Sequence, residues 1–208
     1  MISFLKMPCP LQILAALRAR TFRPDADSVS ALIECVDSES WSLALSDENP
    51  QRPEIVKQAI VSVRSCKDPE ALSGVIKAFM AAELPRELVD LVEPLVVGGS
   101  EPFASNKNLQ NLLILTAAKT VDDEKQRKRL LGFIRNLQNY DWQDVAAFFT
   151  TNAQYEEALA VFKRFKDHKA AITLLLDNIQ DVERAMDYAC FCESEEIWDM
   201  IRQREQQM

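Results

Sequence analysis

Apolar residues recur at helical spacing through most of the chain. Tyr155, Ala158, Leu159 and Phe162 stand at i, i+3, i+4 and i+7, a single stripe on a helix of about 3.6 residues per turn. Val182, Ala185, Met186 and Ala189 repeat that template, and Leu88, Leu91, Val92 and Leu95 show it earlier. A small residue returns at one phase of the stripe, at Ala158, Ala171 and Ala185, each followed by Leu159, Ile172 or Met186. Small side chains there let neighbouring helices approach closely. No sustained alternation of period two is present, and the longest apolar run, Leu112 to Leu115, lies inside a helix-length segment. The pattern predicts an all-α chain.

Polar and proline punctuation divides the pattern into short helices. Pro53, Asp68-Pro69-Glu70 and Pro85 open three of them, since proline fits the first helical turn, where its missing N–H is not required. Later starts fall near Asn108, Asp122, Asp141, Gln154, His168, Asp181 and Ser194. From Asp141 the steps are 13, 14, 13 and 13 residues, three turns of helix plus a tight connection. Two steps make one hairpin, within the period range of stacked helical repeats. The predicted architecture is an α-α superhelix, an α-solenoid in which each hairpin buries its stripe on the next. Residues 34–208 carry the repeats, which read as uncapped at the C-terminal end. Residues 1–33 read as a lead-in, irregular or one helix.

Composition narrows the function. With 208 residues, 48% hydrophobic and four glycines, the chain has the material for a substantial core. A net charge of −8 argues against nucleic acid as a partner. The run Lys125 to Arg129 follows Asp122-Asp123-Glu124 at a helix start, the order the helix dipole favours, and reads as a solvated face. No stretch approaches the about 20 consecutive apolar residues of a membrane span. The first 24 residues carry Lys6, Arg18, Arg20 and Arg23 and no acid, but Pro8 and Pro10 interrupt them, so a targeting segment is not the favoured reading.

Candidate chemistry is sparse. Cys9, Cys35, Cys66, Cys190 and Cys192 are odd in number and unpatterned, which suits reduced thiols. Cys190 and Cys192 diverge by about 200° on a helix and cannot share a ligand. His168 is the one histidine and reads as a surface or capping residue. The acid pairs Glu156-Glu157, Glu195-Glu196 and Asp122-Asp123 are adjacent and point apart. Gly98-Gly99-Ser100 follows a helix end and serves as a terminator, with no strand before it to form a phosphate loop. No catalytic residue, metal ligand or cofactor site is therefore expected, and the chain does not read as an enzyme. Trp41, Trp142, Phe148, Phe149, Phe162 and Phe165 read as core. Ile197, Trp198 and Ile201 share a stripe on the final helix and are the candidate protein-contact face.

Several stretches then resemble the clathrin heavy-chain family, in one order. The most specific is the block Asn108-Leu109-Gln110-Asn111-Leu112-Leu113-Ile114-Leu115-Thr116-Ala117. Lys77 through Leu88, centred on Leu84-Pro85, resembles a junction between two family helices. Tyr155-Glu156-Glu157-Ala158, Ala160 through Phe165, Leu175 through Ile179, Glu183-Arg184-Ala185 and Ile197-Trp198 continue the match, which runs from about Glu34 to Ile201. Three positions depart from the family pattern. Pro94 falls inside a helix and should kink or end it. The stretch Val121 to Arg129 is longer and more charged than the family's turn, and Trp142 stands where a small residue is common.

The resemblance implies a section of the proximal leg of a triskelion, in which three legs of stacked hairpins join and polymerise into a polyhedral lattice. It implies a structural coat protein on the cytosolic face of coated pits and vesicles, lacking the N-terminal propeller and the C-terminal trimerising segment. The implied partners are other clathrin heavy-chain legs, with the clathrin light chain bound mainly beyond this stretch and membrane association only through the coat. The alternative is a tethering or sorting subunit that uses the same repeat to bind partner proteins in vesicle fusion. An enzyme on a helical scaffold is a more distant third.

Overall fold

The computed structural model describes residues 10–99, 101, 103–192 and 194–205. They form helices and turns with no strand among them, so the all-α class predicted from the periodicity is what the chain adopts. Two compact units divide it, Met1–Leu109 and Gln110–Met208.

The first unit holds α1 (Pro10–Arg18), α2 (Ala26–Glu34), α3 (Ser38–Ala44), α4 (Arg52–Ser62), α5 (Pro69–Ala81) and α6 (Pro85–Val96). Each packs on the helix two places on: α1 on α3, α2 on α4, α3 on α5 and α4 on α6. That next-but-one pairing is how stacked hairpins share a core. Two helices, α1 and α2, occupy the stretch read from sequence as an irregular lead-in or one helix. Their signal was short: Ile13 and Leu17 are the only buried residues of α1, a stripe one turn long. Between the helix layers lie Trp41, Phe79, Leu32, Ile55 and Leu91, all fully buried, with Trp41 and Phe79 edge to face at 6.3 Å.

The second unit holds most of α7 (Lys107–Lys119), then α8 (Glu124–Asn136), α9 (Trp142–Thr151), α10 (Tyr155–Phe165), α11 (His168–Thr173), α12 (Val182–Cys192) and α13 (Glu195–Glu205). Here α9 packs along α10, α8 also covers α10, and α13 lies on α11 and α12. The recurring small residues Ala158, Ala171 and Ala185 are all fully buried, as close helix approach requires. α11 widens into a π-helical stretch over Leu174–Ile179. Leu174, Leu175 and Leu176 are all buried there, which the roughly 100° step of a regular helix would not allow three successive side chains on one packed face.

Local chemistry explains the boundaries. Asp25, Asp37, Asp68, Asp123 and Asp167 are N-caps whose carboxylates accept from backbone N–H groups of the first turn. Asp123 as cap moves the start of α8 to Glu124, two residues past Asp122, and Gln126 Oε1 reaches back past the cap to accept from Asp122 N–H at 2.7 Å. Pro94 lies in α6, which ends two residues later at Val96. Gly98 follows at φ 86, and a Cβ on Gly99 would lie 1.8 Å from the Leu95 carbonyl oxygen, so both glycines of the predicted terminator are required.

Most hairpin corners use no glycine. Arg20, Val36, Glu83, Ala153, Lys166 and Gln180 take the left-handed conformation at φ 50 to 59. After α5 the N–H groups of Glu83 and Leu84 donate to the carbonyls of Met80 and Phe79, and after α9 those of Ala153 and Gln154 donate to Thr150 and Phe149. These are Schellman closures, which satisfy the last carbonyls of the helix.

Candidate functional site

The second unit carries a ladder of side-chain braces, each linking positions roughly one hairpin apart. At its start, Gln110 is 3% exposed and its Oε1 accepts from Asn139 N–H at 2.8 Å. Asn111 Oδ1 accepts from Asp141 N–H at 2.8 Å, and its amide donates back to the Asp141 carboxylate at 3.2 Å. Two polar residues of the diagnostic Asn108–Ala117 block thus clamp α7 to the α8–α9 connection. Gln154 ties the start of α10 to the Ala118 carbonyl at 3.1 Å.

Ion pairs continue the ladder along α8, α10 and α12. Arg127 Nε donates to Glu157 at 2.7 Å, and Arg184 grips Glu156 with two bonds of 2.6 and 2.8 Å. The Arg184 bond holds the Glu156 carboxyl below its ordinary range, against the opposing effect of burial. Arg127 lies within the run expected to be a solvated face. It turns inward because Glu157, 6% exposed on α10, needs a counter-charge, while Lys125 and Lys128 stay exposed. Tyr140 O–H and Arg164 both donate to the Ile134 carbonyl, at 3.0 and 2.7 Å, closing the C-terminal end of α8. Burial pushes the Tyr140 phenol up to about 12. Trp142, the residue that departs from the family's small one, stacks on Phe165 at 5.2 Å beside Tyr140.

The predicted contact stripe falls differently. Ile197 and Ile201 are 2% and 1% exposed and belong to the core, because α13 packs on α11 and α12. Only Trp198 of the three stays half-buried, so the stripe is not an open face. A single stripe in sequence does not tell whether earlier helices or another molecule cover it.

The fold also joins residues that sequence spacing kept apart. His168 Nδ1 lies 2.8 Å from the Tyr188 hydroxyl and 3.3 Å from Cys192 Sγ, so the histidine is a packed bridge between α11 and α12 and not a free surface residue. Positions 168 and 192 meet only because α12 folds back on α11, which no local motif announces. The pair has the composition of a nucleophile and base, yet burial holds the Cys192 thiol above its usual range and Sγ also donates to the Tyr188 carbonyl. A neutral thiol used as a structural donor lacks the thiolate character that nucleophilic cysteines need. Lys163 Nζ sits 4.7 Å from the Tyr188 ring centre, with its pKa lowered by burial and by Arg184. Cys9 lies outside the described residues; Cys35, Cys66, Cys190 and Cys192 form no disulfide with one another. Among the described residues no three His, Cys, Asp or Glu side chains converge as metal ligands, and no helix is long and apolar enough to cross a membrane.

Comparison with known proteins bears on this arrangement directly. Residues 63–204 match the family described as Region in Clathrin and VPS. The chain is 39% identical to the clathrin heavy chain of Drosophila melanogaster over 166 residues, which are 79% of this chain and 10% of that protein. It is 38% identical to clathrin heavy chain 2 of Homo sapiens over 172 residues and 37% identical to clathrin heavy chain 1 of Arabidopsis thaliana over 171 residues, each match taking in 82% of this chain and 10% of the relative. It therefore spans about one tenth of the length of these relatives. With hairpins paired next-but-one, buried small residues in phase, and the family match over most of its length, the chain belongs to the clathrin heavy-chain repeat family.

Proposed function

We propose that this chain is a structural section of a clathrin-type coat leg, packing laterally against neighbouring legs in a polyhedral lattice for vesicle-mediated protein transport and endocytosis. The observation that carries the reading is its 34–39% identity to clathrin heavy chains of animals, plants and an amoeba over about four-fifths of the chain. The physical role needs no reaction. Hairpins that bury their stripes on one another make a stiff segment, and weak side contacts between stiff segments become strong when assembly multiplies them. Braces at one-hairpin intervals suit that task, since they resist sliding of one hairpin on the next. Its partners on this reading are other heavy-chain legs, with light-chain contact further along the leg and membrane association on the cytosolic face through the coat alone. A tethering or sorting role is not favoured: the family description names VPS beside clathrin, but the relatives cited above are heavy chains.

The reading is tested by replacing the matching stretch of the Drosophila melanogaster heavy chain with this chain's residues and assembling the purified chimera. Sedimentable cages seen by negative-stain electron microscopy are expected. Folded trimers that never form cages would overturn the proposal.

A further inference from the structure

A groove of about 720 Å³ runs between α8 and α10, with Arg184 of α12 at its side and every lining residue within the second unit. Arg127, Leu131 and Arg135 line its α8 wall at i, i+4 and i+8. Glu156, Ala160 and Lys163 line its α10 wall at i, i+4 and i+7, with Arg164 beside them. Five lining residues are cations and two, Glu124 and Glu156, are acids, in a chain of net charge −8. Both acids are engaged. Glu156 holds the two terminal nitrogens of Arg184, and Glu124 has Lys128, which does not line the groove, 3.9 Å away. Arg127 is committed to Glu157. That leaves Arg135, Lys163 and Arg164 lining one groove with no ion-pair partner among the described residues.

Cations in the last turn of a helix complement its dipole, and that alone makes no site. Here the fold also fixes two of the three charges before any ligand arrives. Arg164 is half-buried, anchored by its 2.7 Å bond to the Ile134 carbonyl and lying 5.4 Å from the Phe165 ring centre, while Lys163 Nζ lies over the Tyr188 ring. Burial and then Arg184 hold the Lys163 pKa below its ordinary value against the pull of Glu156, the mark of cations crowded together. Held side chains lose little entropy on meeting an anion, and an anion relieves the crowding. Chemistry selects which anion. Guanidinium forks match phosphate oxygens, whereas the apolar lining is only Leu131, Leu159 and Ala160, poor anchorage for a peptide. The net charge of −8 repels an extended polyanion, but a small one meets mainly the local field. We propose that the groove binds a compact ligand carrying two or more phosphate groups, of the inositol polyphosphate class, with its phosphates on Arg135, Lys163 and Arg164. This goes beyond the coat reading and does not depend on it.

The test uses the full 208-residue chain with inositol hexakisphosphate as the probe, titrated by calorimetry in metal-free buffer. Saturable binding at one site per chain is expected, weakening as salt is added. Arg135→Glu and Lys163→Glu, both at exposed positions, should each weaken it about tenfold or more with the circular dichroism unchanged. Lys125→Glu makes the same change of net charge at an exposed position of α8 outside the groove and should leave binding within about twofold. Flotation with phosphatidylcholine vesicles containing a phosphatidylinositol bisphosphate identifies the source. Co-flotation that Lys163→Glu abolishes assigns the site to a lipid headgroup, and probe binding without co-flotation assigns it to a soluble phosphate; either supports the proposal. No saturable binding of the probe would overturn it, as would equal losses in Lys125→Glu and Lys163→Glu. A polyglutamate peptide that binds as tightly as the probe would also overturn it, since the groove would then be a site for acidic peptides.

Discussion

The two units share a repeat and differ in what crosses it. In the first, polar side chains close mainly within one helix or its adjoining turn, as Asp25, Asp37 and Asp68 do, and the hairpins meet through apolar faces. Among its bridges over a longer span are Arg18 to Glu39 on the exposed surface and Arg52 to the Ala82 carbonyl at 3.4 Å. In the second, Gln110, Asn111, Arg127, Gln154, Arg164 and Arg184 each reach a residue 28 to 36 positions away. Hydrophobic burial is non-directional and holds hairpins together without fixing their register, whereas a buried hydrogen bond is satisfied in one register only. The second unit is thereby keyed as well as packed. In the first a groove opens between α3 and α5, with Trp41 among its lining residues.

Core truncation should erase the difference between the units. Phe79→Ala in the first and Phe149→Ala in the second should each cost about 3–5 kcal/mol in urea denaturation, because each removes a fully buried ring and leaves a cavity. A large disparity would show that one core is looser and that the braces do more than set register. Removing a brace should separate the units instead. Gln110→Ala leaves Asn139 N–H without its acceptor and should cost about 1–3 kcal/mol, with hydrogen exchange rising across the α8–α9 connection and unchanged in α2 to α5.

Acidification is a gentler probe. Arg184 holds the Glu156 carboxyl below the usual 4.5, so its contribution is complete above that pH and is lost as the pH falls through the lower folded value. The hydrogen bonds of Ser28 and Ser40 act in the same sense on Asp25 and Asp37, below 3.8. Stability should be flat from neutrality to about pH 4.5. Glu156→Gln should lower it by no more than about 1 kcal/mol, since the pair is partly exposed, and should remove the second unit's share of the acid loss in urea titrations at successive pH values. The smallest effect expected is a gain. Ala153 holds φ 57 at the α9–α10 corner, and Ala153→Gly relieves about 1–2 kcal/mol of left-handed strain at a chain-entropy cost of about 0.5–1 kcal/mol, for a net gain in stability between about 0 and 1.5 kcal/mol, read as a raised midpoint of thermal unfolding. A loss there would mean that the alanine methyl packs at the corner.

Helix starts were legible because they rest on local chemistry. Proline at Pro53, Pro69 and Pro85 and aspartate at Asp68 and Asp181 act within one turn of where they stand, and the helices begin within two residues of each predicted position. The corners were not legible, since a left-handed alanine or glutamate carries no mark in sequence that a glycine would. The braces were half legible. Gln110 and Asn111 belong to the block that most resembles the family, yet nothing in that block names Asn139 or Asp141 as their partners. Ile197 and Ile201 show the same limit from the other side, an apolar stripe correctly seen whose cover, α11 and α12, lies earlier in the chain.

By itself the sequence determined the all-α class, the beat of helix and turn, the apolar stripe of each helix and the family, because periodicity, capping and motif order are properties of neighbouring residues. Only the tertiary structure decided what each stripe meets, that Arg127 faces Glu157 and not solvent, that His168 and Cys192 touch, and that Trp41 keeps a buried donor unpaired beside an open groove. The two pairings join residues 30 and 24 positions apart, and such relations exist only after hairpins have stacked.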